Sequence, residues 1–353
     1  LYLESWTDPD LRWLLSTVPS VMIFDDHEII DDWNTSEAWR RTYLAKPWWA
    51  ERISAGLASY WVYQHLGNLS PDELAADPVY RAVTTMDDAT ATLADFGTRA
   101  DRDRAGYRWS YALDLGRTRL VVLDNRAGRE LTPGRRAMLG DGEWRWFVGQ
   151  VAGGGYDHLV LGSSLPWLLP PAVHHVEAMN ERLCESARPW VAHSAERVRQ
   201  MLDLEHWAAF GRSFDTLADL LAQLGTGAEA PATISVLSGD VHHSYAARAR
   251  TDPAVRSRIH QLTCSPIHNG LPAAMHVATR LAWSRYAARV ARRLARLAGT
   301  PDRGLRWELA TGPFFDNAVS TLVLRDRDAY ALVEGTDEGA RLHPLGEVRL
   351  HPA

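Results

Sequence analysis

The chain has 353 residues, of which 46% are hydrophobic and 23% are charged, and its formal net charge at pH 7 is −6. This composition is typical of a globular protein with a large buried core, and the acidic balance argues against a general nucleic-acid binder. No apolar run reaches the roughly 18 residues that a membrane-spanning helix needs.

Apolar periodicity predicts the elements of the first two thirds of the chain. In chain order they are a helix over 1–17, a buried strand over 19–25, a Trp-rich helical insertion over about 34–66, a loop-rich acidic stretch over 70–106, two antiparallel strands over 107–114 and 119–124, a loop and helix over 133–150, a strand over 158–162 and helices within 195–225.

The last third continues in the same manner. Strands are predicted over 234–237, 244–250 and 260–264, one long Arg-rich helix over about 272–298, and final strands over 307–312 and 319–334. This alternation of strands and helices predicts an α/β fold, a sandwich of mixed β-sheets flanked by helices.

Two apolar segments each end in a cluster of Asp and His. The first runs from Val21 into Asp25, Asp26, His27, Glu28 and then Asp31, and the second runs from Ile234 into Gly239, Asp240, Val241, His242 and His243. Carboxylates and imidazoles are the ligands of hard and borderline metal ions, so the pair of clusters predicts a shared metal site. The alternative is that Asp26 and Asp240 are ordinary loop or cap carboxylates.

These motifs resemble those of the alkaline phosphatase D (PhoD-like) family of the calcineurin-like metallophosphoesterases. The resemblance spans roughly residues 1–320 and rests on Asp25–Glu28 with Asp31–Asn34, on Leu123–Arg126, on Met138–Gly140 leading to Trp144, and on Gly239–His242. It implies a metallophosphoesterase-like sandwich, with a catalytic domain over 1–250 and a C-terminal continuation over 251–353.

The resemblance also implies roles for individual residues. Asp26, Asp240 and His242 match metal-ligand positions, with Asp31 as a further ligand, and His27 matches the His that serves the leaving group. Because carboxylates stand where the wider superfamily has Asn or His, we expect calcium, manganese or iron rather than zinc.

The sequence departs from the family pattern in two places. The middle strand is followed by Ser163 and Ser164 instead of a His, so that ligand is lost or replaced by a hydroxyl or water. Nothing in the chain matches the early strands that carry the metal-bridging carboxylate. We therefore expect a C-terminal fragment whose N-terminal strands, and part of whose site, are missing.

Several residues around the motifs have two interpretations. Arg126 either holds a phosphate with both arms of its guanidinium or pairs with Asp124 or a neighbour. Glu28 either positions His27 or acts as a cap, and Asp25 is assigned to the surroundings of the site.

Two downstream His residues and the cysteines are less informative. His243 either orients a ligand or is exposed, and His268 either contacts substrate or belongs to an ordinary loop. Cys184 and Cys264 are too few for a disulfide framework, so the compartment stays open.

The segment Arg280–Arg296 is a basic amphipathic helix of a kind that can lie on anionic membranes. The alternative is a cover helix whose Leu281, Val290 and Leu294 pack on the protein body. Because the remainder of the chain is acidic, we favour the cover helix and expect no membrane contact.

The sequence thus predicts a metal-dependent hydrolase of phosphate monoesters or diesters, in which a metal-activated hydroxide attacks and His27 protonates the leaving oxygen. One alternative is an inactive or regulatory scaffold that binds partners or an anionic membrane surface. Another is a Ser hydrolase using Ser163 or Ser164, although the Gly-x-Ser-x-Gly elbow is absent.

Overall fold

The computed structural model describes residues 2–267, 270–337, 339 and 341–351. Seven helices precede the first strand within this range: α1 (Tyr2–Trp6), α2 (Pro9–Thr17), α3 (Glu37–Leu44), α4 (Trp49–Tyr63), α5 (Pro71–Ala76), α6 (Pro78–Val83) and α7 (Thr90–Arg102).

The remaining elements alternate between strands and helices. They are β1 (Tyr111–Leu115), β2 (Thr118–Leu123), α8 (Asp141–Val151), β3 (His158–Ser163), α9 (Pro171–Cys184), α10 (Pro189–Met201), α11 (Gly211–Leu224), β4 (Thr233–Ser238), β5 (Ser244–Arg250), β6 (Arg258–Thr263), α12 (Ala273–Ala282), α13 (Arg285–Leu297), β7 (Arg306–Phe314), β8 (Ala318–Arg325), β9 (Asp328–Thr336) and β10 (Leu342–His351).

Seven strands form one mixed sheet in the order β1-β2-β3-β4-β6-β5-β7. Strands β2, β3, β4 and β6 are parallel to one another, whereas β1, β5 and β7 run antiparallel to their neighbours. Every residue of β3 is buried, because the sheet is covered on both faces at its centre.

Helices and a second sheet cover the seven-stranded sheet. Phe147 of α8 and Phe214 and Leu217 of α11 pack with the apolar residues of β2, β3 and β4 in the main core. The antiparallel sheet β10-β9-β8 packs on β5 and β6 through a smaller cluster that includes Ala246, Leu262, Ala329, Ala331 and Leu350. This arrangement confirms the predicted α/β sandwich flanked by helices.

The predicted strand over 19–25 is not a strand. The segment pairs with no other strand among the described residues, and Val21 is exposed. Instead of a strand ladder, the backbone N–H of Met22 donates to Asn68 Oδ1 at 2.7 Å, and its carbonyl accepts from Asn68 Nδ2 and from the Tyr111 hydroxyl. Side chains thus satisfy the backbone that a neighbouring strand would otherwise have paired.

The stretch over 70–106, predicted to be loop-rich, contains the three helices α5, α6 and α7. Local caps start the first two: Ser70 and Glu73 form a reciprocal capping box on α5, and Asp77 caps α6. Helices α6 and α7 join the predicted helices α3 and α4 around an aromatic core that includes Trp33, Trp39, Trp49, Tyr60, Trp61, Phe96 and Trp109.

The predicted long helix over 272–298 is divided into α12 and α13, and Ser284 caps the second helix by accepting from the Ala287 N–H. Leu281, Val290 and Leu294 are exposed, so the prediction that they pack on the protein body is wrong. The small side chains of Ala291 and Ala295 are buried instead. Among the described residues, no helix is both long enough and apolar enough to cross a bilayer.

Candidate active site

The first motif forms a tight turn rather than a strand end. A 3-10 turn over Asp26–Glu28 follows Asp25, whose backbone N–H donates to Glu28 Oε2 at 3.1 Å. Gln64 Nε2 donates to the other Glu28 oxygen at 3.0 Å. Of the two interpretations of Glu28, the structure favours the cap.

The carboxylate of Asp26 is buried and holds the turn together. Its Oδ2 accepts the backbone N–H of Asp32 at 2.7 Å, and its Oδ1 lies 2.9 Å from His27 Nδ1. His27 Nε2 lies 3.7 Å from Asp31 Oδ1, on the exposed side of the turn. The imidazole of His27 is therefore anchored by a buried carboxylate, while its side chain remains 67% exposed to solvent.

The second motif follows β4 and has an unusual backbone. Asp240 and His242 both adopt left-handed conformations, with φ values of 66° and 54°. The loop is fixed by bonds from the Gly239 N–H to the Ser164 carbonyl and from the His242 N–H to Ser265 Oγ. Such conformations cost free energy in residues other than Gly, and they are found preferentially at functional sites.

The two motifs meet. Ligand atoms of Asp25, Asp26 and Asp240 all lie within 4.8 Å of one another, and the same holds for Asp26, His27 and Asp31. His242 belongs to neither group. Asp26 is shared, so the turn and the loop after β4 together form one acidic cluster.

Arg126, which follows β2, fills the space between these carboxylates. Its guanidinium donates from Nε to Asp25 Oδ1 at 2.9 Å and from Nη2 to Asp240 Oδ2 at 2.5 Å, and Nη2 lies 3.6 Å from Asp26 Oδ1. Burial opposes the charge of this side chain, but the carboxylates, led by Glu205, raise the pKa of Arg126 above its usual range.

Asp124 was the alternative ion-pair partner considered for Arg126, but its carboxylate binds backbone N–H groups instead. The Asp124 carboxylate accepts the backbone N–H groups of Arg126, Ala127 and Gly128 and so shapes the loop after β2. This loop directs the guanidinium towards the acidic cluster.

Glu205 is a site residue that sequence reasoning missed. It accepts hydrogen bonds from Arg126 Nη1, from Arg129 Nη1 at 2.8 Å and from Thr35 Oγ1 at 3.0 Å. Burial opposes its ionisation, but Arg126 and Arg129 lower the pKa of Glu205 to about 2. Because Glu205 lies between α10 and a short 3-10 turn instead of at a strand end, no local pattern marks it.

Ser163, the last residue of β3, and the following Ser164 place their hydroxyls against Asn125 of the loop after β2. Asn125 Oδ1 accepts from Ser164 N and Oγ, and the Ser164 hydroxyl accepts from Arg126 Nε at 3.3 Å. Ser163 Oγ donates to the Leu165 carbonyl. In the part of the chain that the structure describes, no imidazole is bonded to either hydroxyl, so the geometry does not favour a Ser nucleophile.

His243 is buried rather than exposed. Its Nδ1 donates to the Val241 carbonyl at 2.6 Å, its ring stacks on Tyr245, and burial lowers the pKa of His243 to about 4. His268, for which substrate contact was considered, lies outside the described residues.

The donor set fits a hard cation. Three carboxylates converge on a position that already accommodates the positive charge of a guanidinium, and oxygen ligands of this type suit calcium or manganese. Crowding of these groups opposes their ionisation: burial and the nearby Asp25 raise the pKa of Asp240 to about 7. A metal ion would compete with Arg126 for the same oxygens.

The chain resembles known proteins. It is similar to a solved structure of PhoD, with 12% identity over 92% of this chain and 54% of that chain and a TM-score of 0.44, so it spans about half the length of that protein. No curated protein matches. The family model of PhoD-like phosphatases matches residues 1–304, and the chain therefore belongs to the PhoD-like phosphatase family.

Proposed function

We propose that this chain carries the site of a metal-dependent phosphoric ester hydrolase that acts on phosphomonoesters or phosphodiesters. The observation that supports it most directly is the convergence of Asp25, Asp26 and Asp240 within 4.8 Å at the meeting point of two distant loops. Family membership supports the same reaction class.

Asp26 and Asp240 would be the principal metal ligands, with Asp31 and His242 as further candidates. Calcium, manganese or iron suits the carboxylate-rich set better than zinc does. When bound, such an ion polarises phosphoryl oxygens and lowers the pKa of water.

His27 would act on the leaving group. Because its Nδ1 is engaged by Asp26 at 2.9 Å, the proton available to an alkoxide is the one at Nε2, on the exposed side of the ring. The Asp26 bond fixes the ring orientation, which is what a general acid requires.

Arg126 would bind phosphoryl oxygens through its guanidinium, which already donates from two of its nitrogens to the separate carboxylates of Asp25 and Asp240. Glu205 and Asp25 would keep the guanidinium in place. His243 would support the loop that carries Asp240 and His242, and His268 remains a candidate for substrate contact.

The test measures hydrolysis of p-nitrophenyl phosphate and bis(p-nitrophenyl) phosphate by the native protein purified from its own cells. The rates are compared before and after a chelator has removed bound metal ions. We expect chelation to abolish turnover, and calcium, manganese or iron to restore it better than zinc. Turnover that survives complete removal of metal would contradict the proposal. A protein that binds no metal and hydrolyses neither ester would instead support the scaffold alternative.

A further inference from the structure

Helices α12 and α13 form a surface of unusual charge. Residues 272–298 contain six Arg and no Asp or Glu, in a chain whose net charge is −6. The segment therefore differs in sign from the remainder of the molecule, which alone indicates electrostatic attraction to an anionic partner.

The side chains of α13 divide into three rows along the helix. Ala287, Ala291 and Ala295 recur every four residues, and the latter two are buried. The Ala row brings α13 close to the body of the protein, where it packs beside α9. Small side chains, not large ones, thus provide the inward face of this helix.

The apolar row of α13 faces solvent. Tyr286, Val290, Leu294 and Leu297 recur at intervals of four, four and three residues, which places them on one side of the helix, and they are 77%, 41%, 50% and 84% exposed. Val277 and Leu281 of α12 are also exposed, at 60% and 59%. A helix that only covers a core directs only its polar side outwards, whereas these two helices expose apolar side chains as well as Arg.

The third row consists of Arg285, Arg289, Arg293 and Arg296, which follow the same spacing one position before the apolar row. Arg296 pairs with Asp302, as does the neighbouring Arg292. For Arg285, Arg289 and Arg293, by contrast, no ion pair is found within the described ranges. Cationic side chains that have no ion pair with a described residue thus border the exposed apolar row.

We infer that α12 and α13 lie on the surface of an anionic membrane. Apolar side chains in a row bordered by Arg match the interfacial region of a bilayer, where acyl chains and anionic headgroups lie side by side. A surface on which Arg residues outnumber the carboxylates, of which Asp302 pairs with Arg292 and Arg296, has charge complementarity to such headgroups and repels a second copy of itself.

This surface is connected to the candidate active site through Phe315. The His276 ring of α12 stacks on Phe315 with ring centroids 3.9 Å apart, and Arg280 lies over the same ring. Phe315 in turn is 6.1 Å from His243, which neighbours the loop of Asp240. Membrane docking would therefore bring that loop close to the bilayer.

The test is co-sedimentation of the protein with phosphatidylcholine vesicles that contain or lack phosphatidylglycerol. We expect binding to the anionic vesicles only, weakened as salt is raised. Replacing Arg289 and Arg293 by Gln should lower the partition coefficient about 10- to 30-fold, which corresponds to two lost surface cations. Val290→Asp with Leu294→Asp should abolish binding.

Leu115→Asp is the matched control, because Leu115 is similarly exposed but lies at the end of the edge strand β1. It should bind as the wild type does, and circular dichroism with the melting temperature checks folding of every variant. Equal binding to both vesicle types, or no binding, would overturn the inference. So would a dimer in light scattering that Leu294→Asp dissociates, because the apolar row would then bind a second copy.

Discussion

Arg126 and Glu205 form an ion pair closed off from solvent, with side-chain exposures of 0% and 4%. Glu205 also pairs with Arg129, whose side chain is equally buried. Arg126 also pairs with Asp25 and Asp240, whereas Glu205 is the one carboxylate paired with Arg129 among the described residues, in an interior where an unpaired charge is costly.

Glu205→Gln should therefore destabilise the protein by about 3–5 kcal/mol, because it leaves the buried Arg129 without an ion pair among the described residues and removes one of those of Arg126. Glu308→Gln is a matched control, since Glu308 pairs with Arg248 and Arg250 at the surface and its loss should cost about 0–1 kcal/mol. Urea unfolding of both variants measures the difference. Equal losses would show that the buried network contributes no more than a surface pair.

The packing of α4 against α7 depends on Gly97. A Cβ at this position would overlap the carbonyl oxygen of Ser54, so Gly97→Ala should destabilise the protein by about 1–3 kcal/mol. In α8, a Cβ at Gly149 would meet nothing within 4 Å, and Gly149→Ala should stabilise by about 0.5–1 kcal/mol. Thermal unfolding distinguishes the two, and a stabilising Gly97→Ala would show that the helices are not in close contact.

His65 should make stability depend on pH. Burial lowers its pKa in the folded protein from 6.5 to about 4, and its Nδ1 has no hydrogen-bond partner among the described residues. Between about pH 4 and pH 6.5 the His65 side chain binds a proton in the unfolded chain but not in the folded protein. The free energy of unfolding therefore falls as pH falls through this range, by up to about 1.4 kcal/mol per pH unit.

The variant His65→Phe removes that titration and keeps an aromatic ring among Tyr60, Tyr107 and Trp109. Denaturant unfolding from pH 8 to pH 4.5 should show wild type losing stability relative to the variant only below about pH 6.5. The difference should be constant from pH 7 to pH 8, which is the internal control. A difference that does not change with pH would exclude His65 as an acid-sensitive group.

The central sheet could be predicted from sequence because β2, β3 and β4 each carry buried apolar residues, at 121–123 in β2, at 159–161 in β3, and at Ile234 and Val236 in β4. The run that ends at Phe24 has the same local signature but forms no strand. What distinguishes it is a distant partner, the Asn68 side chain, which no local pattern reveals.

The residues of the candidate site likewise divide into those that the sequence reveals and those that it does not. Asp26 and Asp240 could be identified from their motifs, and the structure brings them together. Glu205 could not, because its importance comes from contacts with residues 76 and 79 positions away in sequence. The sequence also did not predict that Leu294 faces solvent. In α13 both Leu and Ala recur along the helix, and the pattern does not reveal which of them faces inward.

His27→Ala tests the assignment of the leaving-group acid. Turnover of alkyl phosphates should fall by about 10² to 10⁴, while metal content stays near that of the wild type, since only a proton donor is lost. The loss should be smaller for p-nitrophenyl phosphate, whose leaving group needs little protonation. Rates on a leaving-group series, with metal analysis of the same samples, measure both. Loss of metal, or an equal loss on every ester, would contradict the role.

The most direct test of the proposed metal centre uses Asp240→Ala in the full natural protein, produced in its own cells. Metal content and turnover are measured on the same preparation. Asp114→Ala is the control, because Asp114 lies in the edge strand β1 and pairs only with Arg119 among the described residues. We predict that metal content and phosphoesterase turnover fall together in Asp240→Ala and are unchanged in Asp114→Ala. An Asp240→Ala protein that keeps both its metal and its turnover would contradict the account.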